Sequence, residues 1–190
     1  MKTVSVMIVG VGGQGSLLAS KLLGRLLVDE GYDVKVSEVH GMSQRGGSVV
    51  TYVRFGDKVY SPIITDGEAD IIISFEKLEA GRYANFLKKD GKIVVNTQQI
   101  DPMPVIIGAA QYPENVLDEL TAKGVSVDAL DALSLAEDAG SVKAVNIVLM
   151  GKAAKYFDIP KERWITAIEN TVAEKFVEMN KKAFELGYNS

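Results

Sequence analysis

The chain opens on an apolar run, Val4-Ser5-Val6-Met7-Ile8-Val9, that empties directly into Gly10-Val11-Gly12-Gly13-Gln14-Gly15. The run is too short to cross a membrane and is apolar on both of its alternating faces, which is the pattern of a strand buried inside a parallel sheet. The glycines permit a sharp turn with accessible backbone N–H groups. Residues 16–28 follow with Leu18, Leu22 and Leu26 in one row and Ala19, Leu23 and Leu27 beside it, one face of a helix. Strand, turn and helix make the first half of a dinucleotide-type βαβ unit, with the turn at the positive end of the helix, where a phosphate or carboxylate is favoured.

The glycine turn is compatible with more than one function. Gly10, Gly12 and Gly15 satisfy the dinucleotide fingerprint, and Glu38, near the end of the next strand, stands at the distance of a ribose-binding carboxylate. On that reading the chain is a stand-alone NAD(P)-binding protein. As a triphosphate loop the motif fails, because Ser16 occupies the place of the required lysine. Adenylyltransferases that activate ubiquitin-like carboxyl termini carry a similar turn, but those forming a thioester need a cysteine and this chain has none. The plainest alternative is that the glycines only let strand and helix pack closely.

Further along, a strand is predicted over residues 33–37, a glycine-rich loop over 38–48 and a strand over 49–55. Gly56-Asp57 reads as a two-residue hairpin turn into a short strand at 58–60. A buried strand over 71–75, a helix over 76–89 and a strand over 92–96 come next. Residues 97–104 form a connection and 105–107 a short strand. A helix over 113–123 and a strand over 125–130 follow. From Ser134 onward the spacing is helical, with small residues in Ala144, Gly151 and Ala154 that allow close packing. A helix begins at Pro160 and Trp164, and an amphipathic one over 172–186 carries Phe176, Met179 and Phe184. The expected fold is a single α/β domain over residues 1–190, Rossmann-like, with a largely parallel sheet, one β-hairpin and a helical C-terminal third.

Composition narrows the function. With 47% apolar and 24% charged residues among 190, the chain has the make-up of a folded domain with a substantial core. A net charge of −4, with basic residues scattered, argues against nucleic-acid or anionic-membrane partners. The absence of cysteine excludes a thiolate nucleophile, a disulfide framework and an iron–sulfur cluster ligated by this chain, and a single histidine, His40, makes zinc an unexpected ligand. Because Met1-Lys2-Thr3 runs straight into the first strand, no leader is expected, and a cytoplasmic location follows.

The most distinctive stretch is Ser37-Glu38-Val39-His40-Gly41-Met42-Ser43-Gln44-Arg45-Gly46-Gly47-Ser48. Arg45 beside two glycines can present its fork of donors to a carboxylate or phosphate with little obstruction, and His40 can exchange a proton near neutral pH. Equally, Arg45 pairs with Glu38 to hold the loop and His40 bonds a backbone carbonyl. The Gly-Val-Gly-Gly-Gln-Gly turn followed by Glu-Val-His-Gly-Met-Ser-Gln-Arg-Gly-Gly resembles the gamma-type subunits of 2-oxoacid:ferredoxin oxidoreductases, most of all the small (beta) subunits of the indolepyruvate type. The likeness continues through Ala69-Asp70, Val95-Asn96, Lys143-Ala144-Val145-Asn146, Glu174-Lys175-Phe176 and Asn180 to Phe184.

That resemblance implies a component of an enzyme that oxidatively decarboxylates a 2-oxo acid with thiamine diphosphate, magnesium, coenzyme A and iron–sulfur clusters feeding ferredoxin. The chain has no Gly-Asp-Gly to hold magnesium and diphosphate, so those centres are expected in a large partner subunit, and none is expected on this chain alone. The role left to it is to close the active site with the 38–48 loop. Cofactor-facing residues implied are Gly10, Gly12, Gly13, Gln14 and Gly15 from the turn, with Glu38, Gly41, Met42, Ser43, Gln44, Gly46 and Gly47 from the loop. Coenzyme A is the shared ligand, His40 and Arg45 are catalytic candidates, and Asn146 braces the loop or caps a helix.

Overall fold

The computed structural model describes residues 2–41 and 47–190. Its described residues form a six-stranded sheet in the order β2-β3-β1-β4-β5-β6. The strands are β1 (Val4–Val11), β2 (Asp33–His40), β3 (Ser48–Gly56), β4 (Ala69–Ser74), β5 (Leu87–Asn96) and β6 (Ser126–Leu130). β1, β4, β5 and β6 are mutually parallel, and β3 runs antiparallel to both β1 and β2. The helices are α1 (Ser16–Asp29), α2 (Lys77–Arg82), α3 (Met103–Ile106), α4 (Val116–Ala122), α5 (Ala132–Ala139), α6 (Val145–Ala154), α7 (Lys161–Thr171) and α8 (Val177–Asn189).

Alternation along β1 explains the two-sided burial. Val6 and Ile8 join the core beneath α1 and the C-terminal helices, with Leu22, Phe75, Trp164 and Phe184. Met7 and Val9 join the opposite core, with Ile72, Ile93, Ala80 and Leu120 beneath α2 and α4. A strand with helices over both faces has no solvent side, hence its unbroken apolar sequence.

The Rossmann-like class is as expected, but the hairpin lies elsewhere. It joins β2 to β3, with Asp33 opposite Gly56 and His40 opposite Val49. Gly56 ends β3, and residues 58–60 form no strand. Instead Val59 donates its N–H to Asp33 Oδ2 at 2.9 Å, folding the segment back along the sheet edge. A short connection makes β2 and β3 antiparallel neighbours, so β3 enters the sheet between β1 and β2. Glu38 and His40 consequently belong to β2 and Ser48 to β3. Other boundaries also move. The helix expected over 76–89 stops at Arg82, and β5 starts at Leu87. Residues 103–106 are helical, where the sequence predicts a strand at 105–107. The 113–123 helix begins at Val116, and the last expected helix is divided between a 3-10 turn at Glu174–Phe176 and α8.

Every residue of α6 is buried. It lies so close to α8 that a Cβ on Gly151 would be 2.2 Å from the Phe184 carbonyl oxygen, and one on Gly187 2.0 Å from that of Val148. Upstream, Asp131 caps α5: its carboxylate accepts from the Ser134 N–H at 3.1 Å and the Ser134 hydroxyl at 2.7 Å. The hydroxyl first, then the amide, holds the Asp131 carboxyl below its ordinary 3.8. A depressed carboxylate pKa contributes stability above the unfolded value and loses it as acid titrates the folded group. Asp131→Ala is therefore expected to cost about 1 kcal/mol at neutral pH, read as a drop in Tm that shrinks as the pH is taken below 3.8.

Candidate functional site

The glycine turn sits at the carboxyl edge of the sheet, where α/β folds carry their ligands. Its centre is filled by its own side chain. Gln14 Oε1 accepts from the Val11 N–H at 2.8 Å, and Nε2 donates to the Phe75 carbonyl at 3.0 Å and to Gln98 Oε1 at 3.3 Å. This inward carboxamide explains Gly10, where a Cβ would lie 2.9 Å from both Gln14 Oε1 and Phe75 Cβ. Gly15 has φ +85°, and a Cβ there would meet Asn146 Nδ2 at 2.7 Å. Asn146 Nδ2 donates to the Gly15 carbonyl at 3.3 Å, so Asn146 braces the glycine turn. Asn96 completes the floor, reaching the Phe75 carbonyl and Gln98 Oε1, each at 3.3 Å, and accepting from the Ala132 N–H at 3.1 Å.

Removing the plug has a calculable cost. Gln14→Leu leaves the Val11 N–H without that acceptor and the Phe75 carbonyl without its shorter donor. A loss of about 2 kcal/mol is expected, read as a lower denaturation midpoint with an unchanged m-value.

Above the plug, a cleft of about 480 Å³ is lined by Gly13, Gln14, Gly15, Gln98, Leu133, Val142, Lys143 and Val145. Along the turn and the first residues of α1, the Gly13, Ser16 and Leu17 amides have no backbone acceptor among the described residues. Lys143 is exposed and forms no ion pair among the described residues. Amides without a backbone acceptor among the described residues, at the start of a 14-residue helix and near an ammonium group, make an electropositive mouth suited to an anion.

The second loop is rooted beside this cleft. The Gly12 N–H donates to the Gly47 carbonyl at 2.9 Å, and Ser48 stands opposite Val11 in the sheet. Ser48 Oγ is held 2.5 Å from Glu79 Oε2 and 3.0 Å from the Tyr83 hydroxyl, and the buried Glu79 is also bound by Arg82 at 3.0 Å. On the other side of the loop, His40 is exposed, with Nδ1 3.2 Å from the Gly41 carbonyl. Met42, Ser43, Gln44, Arg45 and Gly46 lie outside the described residues.

The sequence-derived residues thus divide. Gly13, Gln14 and Gly15 line the cleft, Gly12 and Gly47 tie the loops together, and Gly10 is a packing position. Glu38 does not line the cleft. It accepts from Thr51 Oγ1 at 3.2 Å, and β3 separates its strand from β1. Two strand spacings are about 9.6 Å, so Glu38 is displaced from the usual ribose position. Gln98, Glu79 and Tyr83 are not singled out by sequence reasoning. Lys143 and Ser48 have a signal there, the first in the Lys143-Ala144-Val145-Asn146 stretch and the second at the end of the 37–48 stretch.

A Rossmann-like unit with a plugged glycine turn, an electropositive cleft and an adjacent hairpin loop is the class that fold and site define. The chain belongs to the pyruvate ferredoxin/flavodoxin oxidoreductase family, whose model matches residues 5–190. Within the family it is a small subunit of the gamma type. It is 45% identical over 195 residues to indolepyruvate oxidoreductase subunit IorB of Thermococcus kodakarensis, with 98% of this chain and 95% of that protein covered. The IorB of Archaeoglobus fulgidus is 42% identical over 190 residues, covering 98% and 94%. Among solved structures, the gamma subunit of a keto/oxoacid ferredoxin oxidoreductase from Geobacter sulfurreducens superposes with a TM-score of 0.72 at 24% identity, covering 98% and 96%. A 2-oxoglutarate:ferredoxin oxidoreductase from Magnetococcus marinus matches with a TM-score of 0.75 at 17% identity, over all of this chain but 31% of that one. At these identities the structures show the shared fold. No helix among the described residues is long and apolar enough to cross a membrane.

Proposed function

We propose that this subunit closes the active site of an oxidoreductase that decarboxylates a 2-oxo acid, with the chemistry carried by a large partner subunit. The observation that carries this reading is the 2.9 Å hydrogen bond from Gly12 to Gly47, which makes the glycine turn and the root of the 38–48 loop one continuous edge beside the cleft. The names of the relatives favour indolepyruvate as the substrate. Thiamine diphosphate, magnesium and iron–sulfur clusters belong to the partner. A chain without cysteine supplies no thiolate ligands for a cluster. Ferredoxin takes the electrons from the complex.

Coenzyme A is the ligand that this chain's own residues fit. The Gly13, Ser16 and Leu17 amides and the Lys143 ammonium suit a phosphate oxygen, whereas the inward Gln14 closes the space under the turn, so an anion rests on the turn rather than within it. The loop contributes His40 and Arg45 as donors for the anionic groups of substrate or coenzyme, with Gly41, Met42, Ser43, Gln44 and Gly46 as the accompanying cofactor-binding residues. Adding the large subunit should slow amide hydrogen exchange in residues 10–17 and 38–48, read by mass spectrometry. Unchanged exchange in both segments, with the complex formed, would remove the loops from the active site.

A further inference from the structure

Residues 102–110, Pro-Met-Pro-Val-Ile-Ile-Gly-Ala-Ala, carry no charge, yet they lie on the surface. Met103 is 63% exposed, Ile106 66% and Ile107 68%, the densest run of exposed large apolar side chains among the described residues. Single exposed apolar residues need no explanation, but three within five positions form a patch that a partner covers.

The segment is built to stay in place. The Ile100 N–H at its start and the Tyr112 hydroxyl at its end both donate to Glu76 Oε1, the former at 3.2 Å. Glu76 is only 1% exposed, and its other oxygen accepts from the Glu79 N–H at 3.0 Å. Between these pins, the Ala109 and Ala110 N–H groups both return to the Pro104 carbonyl, at 2.8 and 3.0 Å. One buried carboxylate therefore clasps both ends of an apolar knob. A face ordered before it binds loses less entropy on docking.

Its position indicates the occupant. The knob follows β5 and departs just beyond Gln98, which lines the cleft and bonds Gln14. Met103 follows Gln98 by five residues, so the knob lies within about 18 Å of the cleft wall, inside the span of a single subunit contact. This fold also occurs as 31% of a longer single chain in the Magnetococcus marinus structure, where the remainder of that polypeptide is tethered to it. We infer that Met103, Ile106 and Ile107 form the docking face for the large thiamine- and cluster-bearing subunit, an inference that rests on the function proposed above.

The test titrates a fluorescently labelled chain with the purified large subunit, comparing the natural sequence with the combined Met103→Ser, Ile106→Ser and Ile107→Ser variant. The variant is expected to melt at an unchanged temperature and bind at least about thirtyfold more weakly, the behaviour of a truncated hot spot. If the triple variant misfolds, Ile107→Ser alone is read, with about a fivefold loss expected. Equal binding of the variant and the natural chain would overturn the docking face while leaving the proposed function intact. Failure of the natural chain itself to bind would overturn both. A variant that loses only self-association, measured by sedimentation, would assign the face to a second copy and equally refute the inference.

Discussion

Gly151→Ala is expected to lower Tm by roughly 10 °C. The new Cβ would stand 2.2 Å from the Phe184 carbonyl oxygen and 3.0 Å from the Tyr188 N atom. Both obstacles are backbone, so no rotamer change relieves them, and α6 and α8 must move apart. Because α6 is buried along its whole length, that movement is transmitted to Trp164 and Phe184 and to the sheet beneath. Overpacking of this kind costs about 3 kcal/mol, and a domain of this size loses about 2–4 °C per kcal/mol. Gly187→Ala should behave alike, since its Cβ meets the Val148 carbonyl at 2.0 Å. Differential scanning calorimetry decides it, and a Tm within about 2 °C of the natural chain for both variants would refute the close helix contact.

The second large effect is on turnover. In the complex reconstituted with its large subunit, Arg45→Ala is expected to lower turnover of the 2-oxo acid by tenfold or more. A hydrogen bond to a charged group contributes about 1.5–3 kcal/mol, and each 1.4 kcal/mol is a factor of about ten. The fall should appear in kcat/KM and persist when the partner is saturating, which separates a contact with substrate or coenzyme from weakened assembly. Lys143→Gln should act on coenzyme A instead, raising its KM several-fold with kcat little changed, as expected for binding felt equally in the ground and transition states. Unaltered kinetics for Arg45→Ala would take the loop out of the mechanism.

Much of this architecture is legible in the order of the amino acids. Val6, Met7, Ile8 and Val9 announce a strand covered on both faces, and the small residues around Gly151 announce a close helix contact. The hairpin is harder to place. Gly56-Asp57 has the chemistry of a tight turn, while the true connection is longer and its strand pairing depends on distant partners such as Val11 and Ser48. Gln14 suggests a ligand cradle because a glutamine among glycines ordinarily faces water. Its inward course depends on the Phe75 carbonyl and Gln98, which reach the turn only through the sheet. Glu76 and Glu79 illustrate the same limit. At the start of a helix they look solvated, yet they are buried and bind Tyr112, Ile100 and Ser48 from other segments. Residues whose role is set by neighbours in sequence are readable; those set by tertiary partners are not.

The most direct measurement is steady-state oxidation of indolepyruvate, with coenzyme A and ferredoxin supplied, by the purified chain, by the large subunit and by the two together. Turnover is predicted only for the mixture, saturating as the small subunit reaches its stoichiometric ratio. Turnover of the 2-oxo acid, or reduction of a nicotinamide, by this chain with nothing added would contradict the assignment, as would a large subunit that works as fast without it.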